Sequence, residues 1–189
     1  MKETITFAST NQNKFLEIQS ILSTRRLSVN FSNIHLVEIQ SDSLEEIARE
    51  KVKSAFAKIG RHVIVEDDGL FINSLGGFPG QYSSFVFRTI GNDGILKLLS
   101  GSIDRSAYFL SLIAFYDGSV LSISKGQVNG RITDRITEGG WGYDPIFVPD
   151  SCDLTFAELR KNKNEYSHRK RALERFARWY LKQMKNSTQ

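Results

Sequence analysis

The stretch V-I-V-E-D-D-G-L, residues 63–70, places the strongest constraint on the fold. Three apolar residues run directly into Glu66, Asp67 and Asp68. The apolar run predicts a buried strand that ends in three carboxylates. Adjacent carboxylates repel one another, so stability alone gives no reason to gather them. We therefore expect either that solvent surrounds these acids or that something cationic holds them.

Helix and strand patterns alternate along the chain on both sides of this stretch. Ser43 and Glu46 have the spacing of a capping box before an apolar helix face, and Gly60 is placed to end that helix. Two long strand-like segments are joined at Asp117-Gly118, a hairpin turn signal. A last helix carries Trp179 and Tyr180 on an apolar stripe, which we expect in the core. The pattern predicts a mixed α/β chain whose sheet is part parallel, with a long antiparallel portion.

The size and composition favour a globular protein of modest size. The chain has 189 residues, 40% of them hydrophobic, which predicts one domain over residues 1–189, or two small lobes that share a cleft. A single cysteine, Cys152, excludes an internal disulfide framework and fits a reducing cytoplasm. No run of about 18 apolar residues is present, so we expect no membrane span. The opening segment lacks the long apolar run of a signal peptide, so we expect no secretion.

The charge is mildly basic and unevenly distributed. The formal net charge is +4, and residues 160–185 contain ten Lys and Arg against Glu165 and Glu174. This bias suits an anionic partner such as a nucleotide, a nucleic acid or an acidic surface. A solvated helix face would have the same composition, so charge alone does not choose between these interpretations.

A polar turn follows the first strand and is a candidate phosphate site. The segment S-T-N-Q-N-K, residues 9–14, ends a strand and begins a helix. Free backbone N–H groups at a helix start bind phosphate, and Lys14 adds positive charge there. The Walker glycines are missing, and Ser, Thr and Asn are also ordinary helix caps.

The acids of residues 66–68, together with Glu38, are candidate metal ligands. Mg²⁺ is bound in proteins by one or two carboxylates plus waters and substrate phosphates. Because side chains alternate along a strand, Glu66 and Asp68 should point to one face and Asp67 to the other. A solvated strand end is the alternative interpretation.

Two glycine-rich loops and a basic segment complete the candidate sites. G-G-F-P-G (76–80) and G-G-W-G-Y-D-P (139–145) allow close approach of backbone to a ligand, and Trp141 and Tyr143 offer flat faces for a base. Tight turns with core aromatics are the alternative. Adjacent Ser167 and His168 lack the geometry of a hydrolase triad, so we read S-H-R as anion or base contacts at a helix start.

Taken in order, these segments resemble the inosine/xanthosine triphosphate pyrophosphatase family. The opening S-T-N-x-x-K with Glu17, then Glu38, V-E-D-D-G-L, G-F-P-G, G-Y-D-P and S-H-R follow at the family's separations over nearly the whole chain. Two positions depart from the pattern. Asp68 stands where the family has serine or threonine, and is either a further metal ligand or points away from the phosphates. Trp141 stands where phenylalanine is common.

The resemblance implies a role for each matching residue. Asp67 would be the catalytic base that activates water, and would hold Mg²⁺ together with Glu38. The remaining residues would bind substrate: Ser9, Thr10, Asn11, Lys14 and Lys51 at the phosphates, Asp68 beside them, and Trp141, Gly142, Tyr143, Asp144, Lys163, His168 and Arg169 at the base.

The resemblance also implies a fold, an activity and an assembly. The fold would be an elongated, two-lobed mixed sheet with flanking helices and an active site in the central cleft. The enzyme would hydrolyse ITP, dITP and XTP to monophosphate and pyrophosphate in the cytoplasm, as a homodimer with no stable nucleic-acid or membrane partner. A pyrophosphatase for pyrimidine or other modified nucleotides is one alternative. A basic nucleic-acid-binding module is another, but the three acids argue against it.

Overall fold

A computed structural model describes residues 4–150 and 152–186 as a mixed α/β fold, as the sequence predicts. The chain alternates strand and helix up to β3 and is richer in strands and short helices beyond it. The strands are β1 (Ile5–Ser9), β2 (Val29–Asn33), β3 (Val63–Ile72), β4 (Pro79–Gly80), β5 (Ser106–Tyr116), β6 (Leu121–Ile132) and β7 (Phe147–Pro149). The helices are α1 (Gln12–Ser23), α2 (Leu44–Ile59), α3 (Ser83–Thr89), α4 (Gly91–Leu98), α5 (Phe156–Leu159), α6 (Lys163–Tyr166) and α7 (His168–Asn186).

The strands form one seven-stranded mixed sheet. Its order is β2-β1-β3-β5-β6-β7, and β4 pairs with β3 off this path. Strand β1 runs parallel to both β2 and β3, whereas β4 is antiparallel to β3 and β7 is antiparallel to β6. The parallel pairs are joined by the helical crossovers α1 and α2, as parallel pairing requires.

Strand β3 does not end at the three acids, and this corrects the sequence prediction. It continues through Glu66, Asp67 and Asp68 to Ile72, because beyond them its residues pair with β4. At Gly69 a Cβ atom would lie 2.4 Å from the carbonyl oxygen of Gly80, so this close approach requires glycine. The acids therefore lie inside a strand, where two of them are buried.

The other element predictions hold with small shifts in position. Ser43 caps α2 by accepting the Glu46 N–H at 3.2 Å, and Gly60 ends α2 in the left-handed region at φ 66°. The alternation of residues 27–31 predicts a second strand, whereas β2 is Val29–Asn33, with Val29 paired to Ile5 of β1.

The described chain divides into two compact units, each with its own core. Unit 1 consists of residues 4–67, 111–126 and 169–186. Its core joins β1, β3 and β5 with the apolar faces of α1 and α7, and Tyr180 is buried there with Trp179 packed against it, as predicted. None of the helices within the described residues combines the length and apolarity that a membrane span needs.

Unit 2 consists of residues 68–110 and 127–168, apart from residue 151, which lies outside the described residues. Its core combines aliphatic residues of the continuing β3 with an aromatic group from β5, β7 and α5. Phe109 packs edge-on against Phe147 with ring centroids 4.8 Å apart. The predictions of a single domain and of an active-site cleft stay predictions.

Candidate functional site

Glu66 of unit 1 is held in a buried ion-pair network. The guanidinium of Arg169, which is fully buried, donates through Nε to both Glu66 oxygens at 2.7 and 2.9 Å. Ser111 Oγ donates to Glu66 Oε1 at 2.7 Å, and Arg169 Nη1 also donates to Glu17 on α1. Several donors therefore compensate a carboxylate that has no exposed side-chain surface.

This network also includes Lys14, one of the residues predicted to bind phosphate. Lys14 Nζ lies 3.6 Å from Glu66 Oε2, and the Lys14 side chain is largely buried. Lys14 and Glu17 are one helical turn apart on α1, so α1 presents a cation and an anion to the same network. Arg169, which was expected at the base, thus has its guanidinium placed on Glu66 and Glu17.

The second acid, Asp67, lies in a different cluster with Lys51 and Glu38. Lys51 Nζ donates to Asp67 Oδ1 at 2.6 Å and to Glu38 Oε1 at 2.5 Å. Asp67 is buried, while the Glu38 side chain is 55% exposed. The other Asp67 oxygen, Oδ2, is buried and has no hydrogen-bond partner among the described residues. The structure therefore brings together Glu38, Lys51 and Asp67, as the sequence predicts for the phosphate and metal residues.

Burial and charge act in opposite directions on these groups. Burial raises the pKa of Asp67, and the nearby ammonium groups of Lys51 and Lys14 offset only part of that rise. Burial would also raise the pKa of Glu38, but Lys51 outweighs it and the pKa is lowered. For Lys51, burial alone would lower the pKa, yet Asp67 and Glu38 raise it well above its usual range, so Lys51 is a cation at neutral pH.

The start of α1 lies in the same unit, and nearby side chains accept hydrogen bonds from its backbone N–H groups. Ser9 Oγ accepts the Asn11 N–H at 3.0 Å, and Asn11 Oδ1 accepts the Lys14 N–H at 3.1 Å as the helix N-cap. Thr10 is exposed. The helix-cap interpretation therefore holds for Asn11, whereas Ser9 binds the backbone of Asn11 before the helix. A phosphate bound here would have to displace or share these contacts.

The donors around Asp67 fit a hard divalent cation of the Mg²⁺ type. In the described residues no group of three or more His, Cys, Asp or Glu side chains could hold a metal ion by itself. Mg²⁺ does not need such a cage, because it is bound through one or two carboxylates together with waters and phosphates. The buried Oδ2 of Asp67 is an acceptor without a donor, which is the expected state of an oxygen that binds a cation.

Unit 2 contains a second buried charge pair beside an aromatic ring. Lys163 Nζ donates to Asp144 Oδ2 at 2.8 Å, and both side chains are at most 8% exposed. The same ammonium lies 4.8 Å from the centroid of the Trp141 ring, which is a cation–π distance. The backbone N–H of Trp141 donates to Asp144 Oδ2 at 3.2 Å. Three predicted base-pocket residues are thus brought together.

Tyr143 differs from its predicted role as a stacking surface. It is 5% exposed, its hydroxyl donates to the Ser83 carbonyl at 3.0 Å, and its ring packs edge-on with Phe87. Burial raises the pKa of its hydroxyl. The ring belongs to the core of unit 2, as the core-aromatic alternative predicts. Neighbouring Gly142 is tied to α4 by Asn92, whose side chain donates to the Gly142 carbonyl at 3.1 Å.

Asp68 and His168 face each other in unit 2. Asp68 Oδ2 lies 3.7 Å from His168 Nε2. The His168 ring is buried and stacks on Phe109 at 4.5 Å with an interplanar angle of 7°. Asp68, which stands where the family pattern has serine or threonine, thus lies beside the imidazole of His168.

Comparison with known proteins assigns the family. A model of the Ham1 family matches residues 5–179. The chain belongs to the Ham1 family.

Relatives and solved structures agree with this assignment. The chain is 46% identical over 179 residues to the dITP/XTP pyrophosphatase of Methanopyrus kandleri, covering 93% of this chain and 95% of that protein. It is 45% identical over 169 residues to the dITP/XTP pyrophosphatase of Saccharolobus solfataricus, covering 88% of each. It is also similar to the structure of a HAM1 protein from Coxiella burnetii, with a TM-score of 0.83 and 30% identity, covering 95% of this chain and 99% of that one. The predicted family resemblance is confirmed.

In this Ham1 family member, sequence reasoning missed the role of Ser111 and the partners of Glu66. Ser111 lies in the middle of β5 with no motif around it, and Arg169 is 103 residues from Glu66 in the chain. The available signal was a buried strand containing an acid, which requires a buried cation somewhere in the fold. The sequence does not indicate which of its 25 Lys and Arg residues meets that requirement.

Proposed function

We propose that this Ham1 family member hydrolyses dITP, XTP and ITP to the nucleoside monophosphate and pyrophosphate. The observation that carries the proposal is the cluster of Glu38, Lys51 and Asp67, which combines two carboxylates, a buried cation and an acceptor oxygen without a donor. The two relatives described above, at 45–46% identity, are named dITP/XTP pyrophosphatases, which supports this substrate class.

The phosphate chain binds to unit 1. A nucleoside triphosphate has about four negative charges, so an anionic base reaches it only after cations have offset them. Lys14 and Lys51 supply two of those cations, and the polar turn of Ser9, Thr10 and Asn11 adds hydrogen-bonding groups at the start of α1. Both lysines contact carboxylates in the structure, so each exchanges part of such a contact for phosphate oxygens.

Glu38 and Asp67 hold Mg²⁺ in this proposal. When bound, the ion neutralises charge on the phosphate oxygens and so lowers the cost of forming the transition state. Asp67 Oδ2 contributes an acceptor that is already desolvated and correctly placed on a rigid strand. Glu38, which is half exposed on the segment before α2, completes the pair.

Asp67 also takes the proton from the attacking water. The water oxygen bonds to phosphorus, the α–β phosphoanhydride breaks, pyrophosphate leaves, and the water proton passes to the carboxylate. A positioned carboxylate can take a proton from water in the transition state, and general base catalysis of this kind is worth about 10²–10⁴-fold. No covalent enzyme intermediate forms on this route, because water attacks the phosphorus directly.

Residues of unit 2 select the base. Trp141 offers a ring for stacking, and the donors of Lys163 and His168 suit a 6-oxo acceptor and mismatch the 6-amino group of adenine. Gly142 and Asp144 shape the same loop, with Asp144 holding Lys163 in position. The guanidinium of Arg169 contacts Glu66 and Glu17. Arg169 therefore acts here only as the residue that follows His168 at the start of α7.

Product analysis with a panel of triphosphates tests the function. Purified protein with Mg²⁺ is expected to convert dITP, XTP and ITP to monophosphate and pyrophosphate, much faster than ATP, and to stop when a chelator is added. Release of single phosphates would contradict the proposal. Preference for pyrimidine triphosphates would replace the substrate class while retaining the chemistry.

We also propose that the enzyme is a homodimer in the cytoplasm. The dimer is proposed from the family resemblance, and the compartment from the single cysteine, which fits a reducing environment. Light scattering of the purified chain tests the dimer, and a monomer at micromolar concentration would contradict it. Cell fractionation tests the compartment.

A further inference from the structure

Lys51 lies between Glu38 and Asp67, the two carboxylates that would hold a divalent cation. Its Nζ is 2.5 Å from Glu38 Oε1 and 2.6 Å from Asp67 Oδ1. The Lys51 side chain is 12% exposed and comes from α2, whereas Asp67 is on β3 and Glu38 precedes α2. The ammonium therefore links three segments of unit 1.

The charges of this cluster do not accommodate a second cation beside Lys51. Two carboxylates supply two negative charges, and Lys51 offsets one of them while filling the space between the oxygens. A divalent cation on the donor-free Oδ2 of Asp67 would share that carboxylate with the ammonium on Oδ1, and like charges this close repel strongly. The ion and the ammonium therefore compete for the negative charge of the same two carboxylates.

An incoming phosphate chain changes that competition. Its oxygens offer Lys51 new acceptors, and they also supply ligands that Mg²⁺ requires beyond one or two carboxylates. Lys14 Nζ lies 3.6 Å from Oε2 of Glu66, the neighbour of Asp67 on β3, so a second ammonium is available to the phosphate chain.

We propose that Lys51 is the resident counter-ion of Glu38 and Asp67, and that it excludes free divalent cations until a phosphate chain draws its ammonium away. The metal then enters with the nucleotide, so binding of metal and of phosphate is mutually favourable. This inference rests on the proposed function, because it assigns the order in which that site is filled.

The test is Mn²⁺ binding in the absence of any nucleotide, measured by the electron paramagnetic resonance signal of free Mn²⁺. Lys51→Met removes the ammonium and retains the length of the side chain. Lys53→Met is the matched control, because Lys53 lies on the same helix, is half exposed and pairs with Glu50 at 2.7 Å. A third variant combines Lys51→Met with Asp67→Asn.

The expected result is a gain of affinity that depends on Lys51 alone. Lys51→Met should bind one Mn²⁺ per chain about tenfold or more tightly than the unmodified chain, the change expected for removing a close charge from a shared site. Lys53→Met should match the unmodified chain, and the double variant should lose the added affinity. Thermal unfolding gives a second readout: Mn²⁺ should raise the melting temperature of Lys51→Met and leave that of the unmodified chain almost unchanged.

Each contrary result has a separate meaning. Equal Mn²⁺ affinity of the unmodified chain and Lys51→Met overturns the role of Lys51, and dITP hydrolysis by the unmodified chain would then leave the proposed function intact. Absence of Mn²⁺ binding in every variant overturns the inference together with the metal site. A chain that binds Mn²⁺ but converts no triphosphate to pyrophosphate contradicts the proposed function independently of the competition.

Discussion

Glu66 and Asp67 are neighbours on β3 and are both buried, yet their surroundings differ. Glu66 accepts hydrogen bonds from Arg169 on both of its oxygens and from Ser111 on Oε1. Asp67 accepts one from Lys51 on Oδ1, and its buried Oδ2 has no partner among the described residues. One strand thus holds a fully compensated carboxylate next to an incompletely compensated one.

The difference separates a structural role from a functional one. A buried charge that is paired and hydrogen-bonded on every side holds its neighbours in position, and removing one partner costs several kcal/mol. A buried acceptor without a donor costs free energy in folding, and such groups are concentrated at sites of ligand binding or catalysis. The contrast supports the proposal that Asp67 carries the chemistry, and it leaves Glu66 the positioning of α1 and α7.

The largest expected effect is on turnover, and it should be confined to Asp67. Asp67→Asn should lower kcat for dITP by about 10²–10⁴-fold, because the amide cannot take the water proton. Steady-state pyrophosphate release measures this, and circular dichroism checks that the fold is retained. Near-normal turnover by this variant would contradict the proposal that Asp67 is the catalytic base and Glu66 is structural.

The next effect is on stability, and it should follow Glu66. Arg169→Met leaves Glu66 buried without its main partner, which should lower the free energy of unfolding by about 3–5 kcal/mol. Urea unfolding measures the change. Arg178→Met, at an exposed position on the same helix, should stay within about 0.5 kcal/mol of the unmodified chain. Equal losses of unfolding free energy in both variants would show that the ion pair between Arg169 and Glu66 contributes no more to stability than an exposed arginine.

A milder substitution removes one donor to Glu66. Ser111→Ala should lower the free energy of unfolding by about 1.5–3 kcal/mol, as expected for a buried hydrogen bond to a charged group. Activity per folded molecule should change little, because Ser111 contacts Glu66 and not Asp67. A loss of activity without a loss of stability would contradict this division.

The stability of the metal-free protein should depend on pH through Asp67. Because burial raises the folded-state pKa of Asp67, its protonation favours the folded state. This stabilisation is complete below the unfolded-state pKa of about 4 and is lost as pH rises through the raised folded-state pKa. Asp67→Asn should abolish that loss, while exposed Asp42→Asn should not. Melting temperatures measured across the acid range would check the sign, and identical pH profiles for the two variants would contradict it.

The smallest effect should come from the third acid. Asp68→Ser introduces the type of residue that the family pattern has, and it should change kcat/KM for dITP by less than about fivefold, because a serine hydroxyl can also hydrogen-bond at the position beside His168. A much larger loss would identify Asp68 as a metal ligand and would extend the functional cluster along β3.

The sequence alone determined the element types, the family and most of the candidate residues. Apolar spacing, the Ser43 cap and Gly60 are local signals, and the ordered motifs from Ser9 to Arg169 are enough to indicate the family from the sequence alone. The sequence also identified Glu38, Lys51 and Asp67, which the structure brings together.

Only the tertiary structure decided which charges meet and which carboxylate is left incompletely satisfied. Arg169 is paired with Glu66 across 103 residues, and Tyr143 is placed in a core instead of on an open face. Even the end of β3 was decided by pairing with β4 rather than by the acids themselves. Local pattern fixes the face on which a side chain lies, whereas its partner depends on how distant segments pack, and in a low-dielectric interior that partner decides the state of a charge.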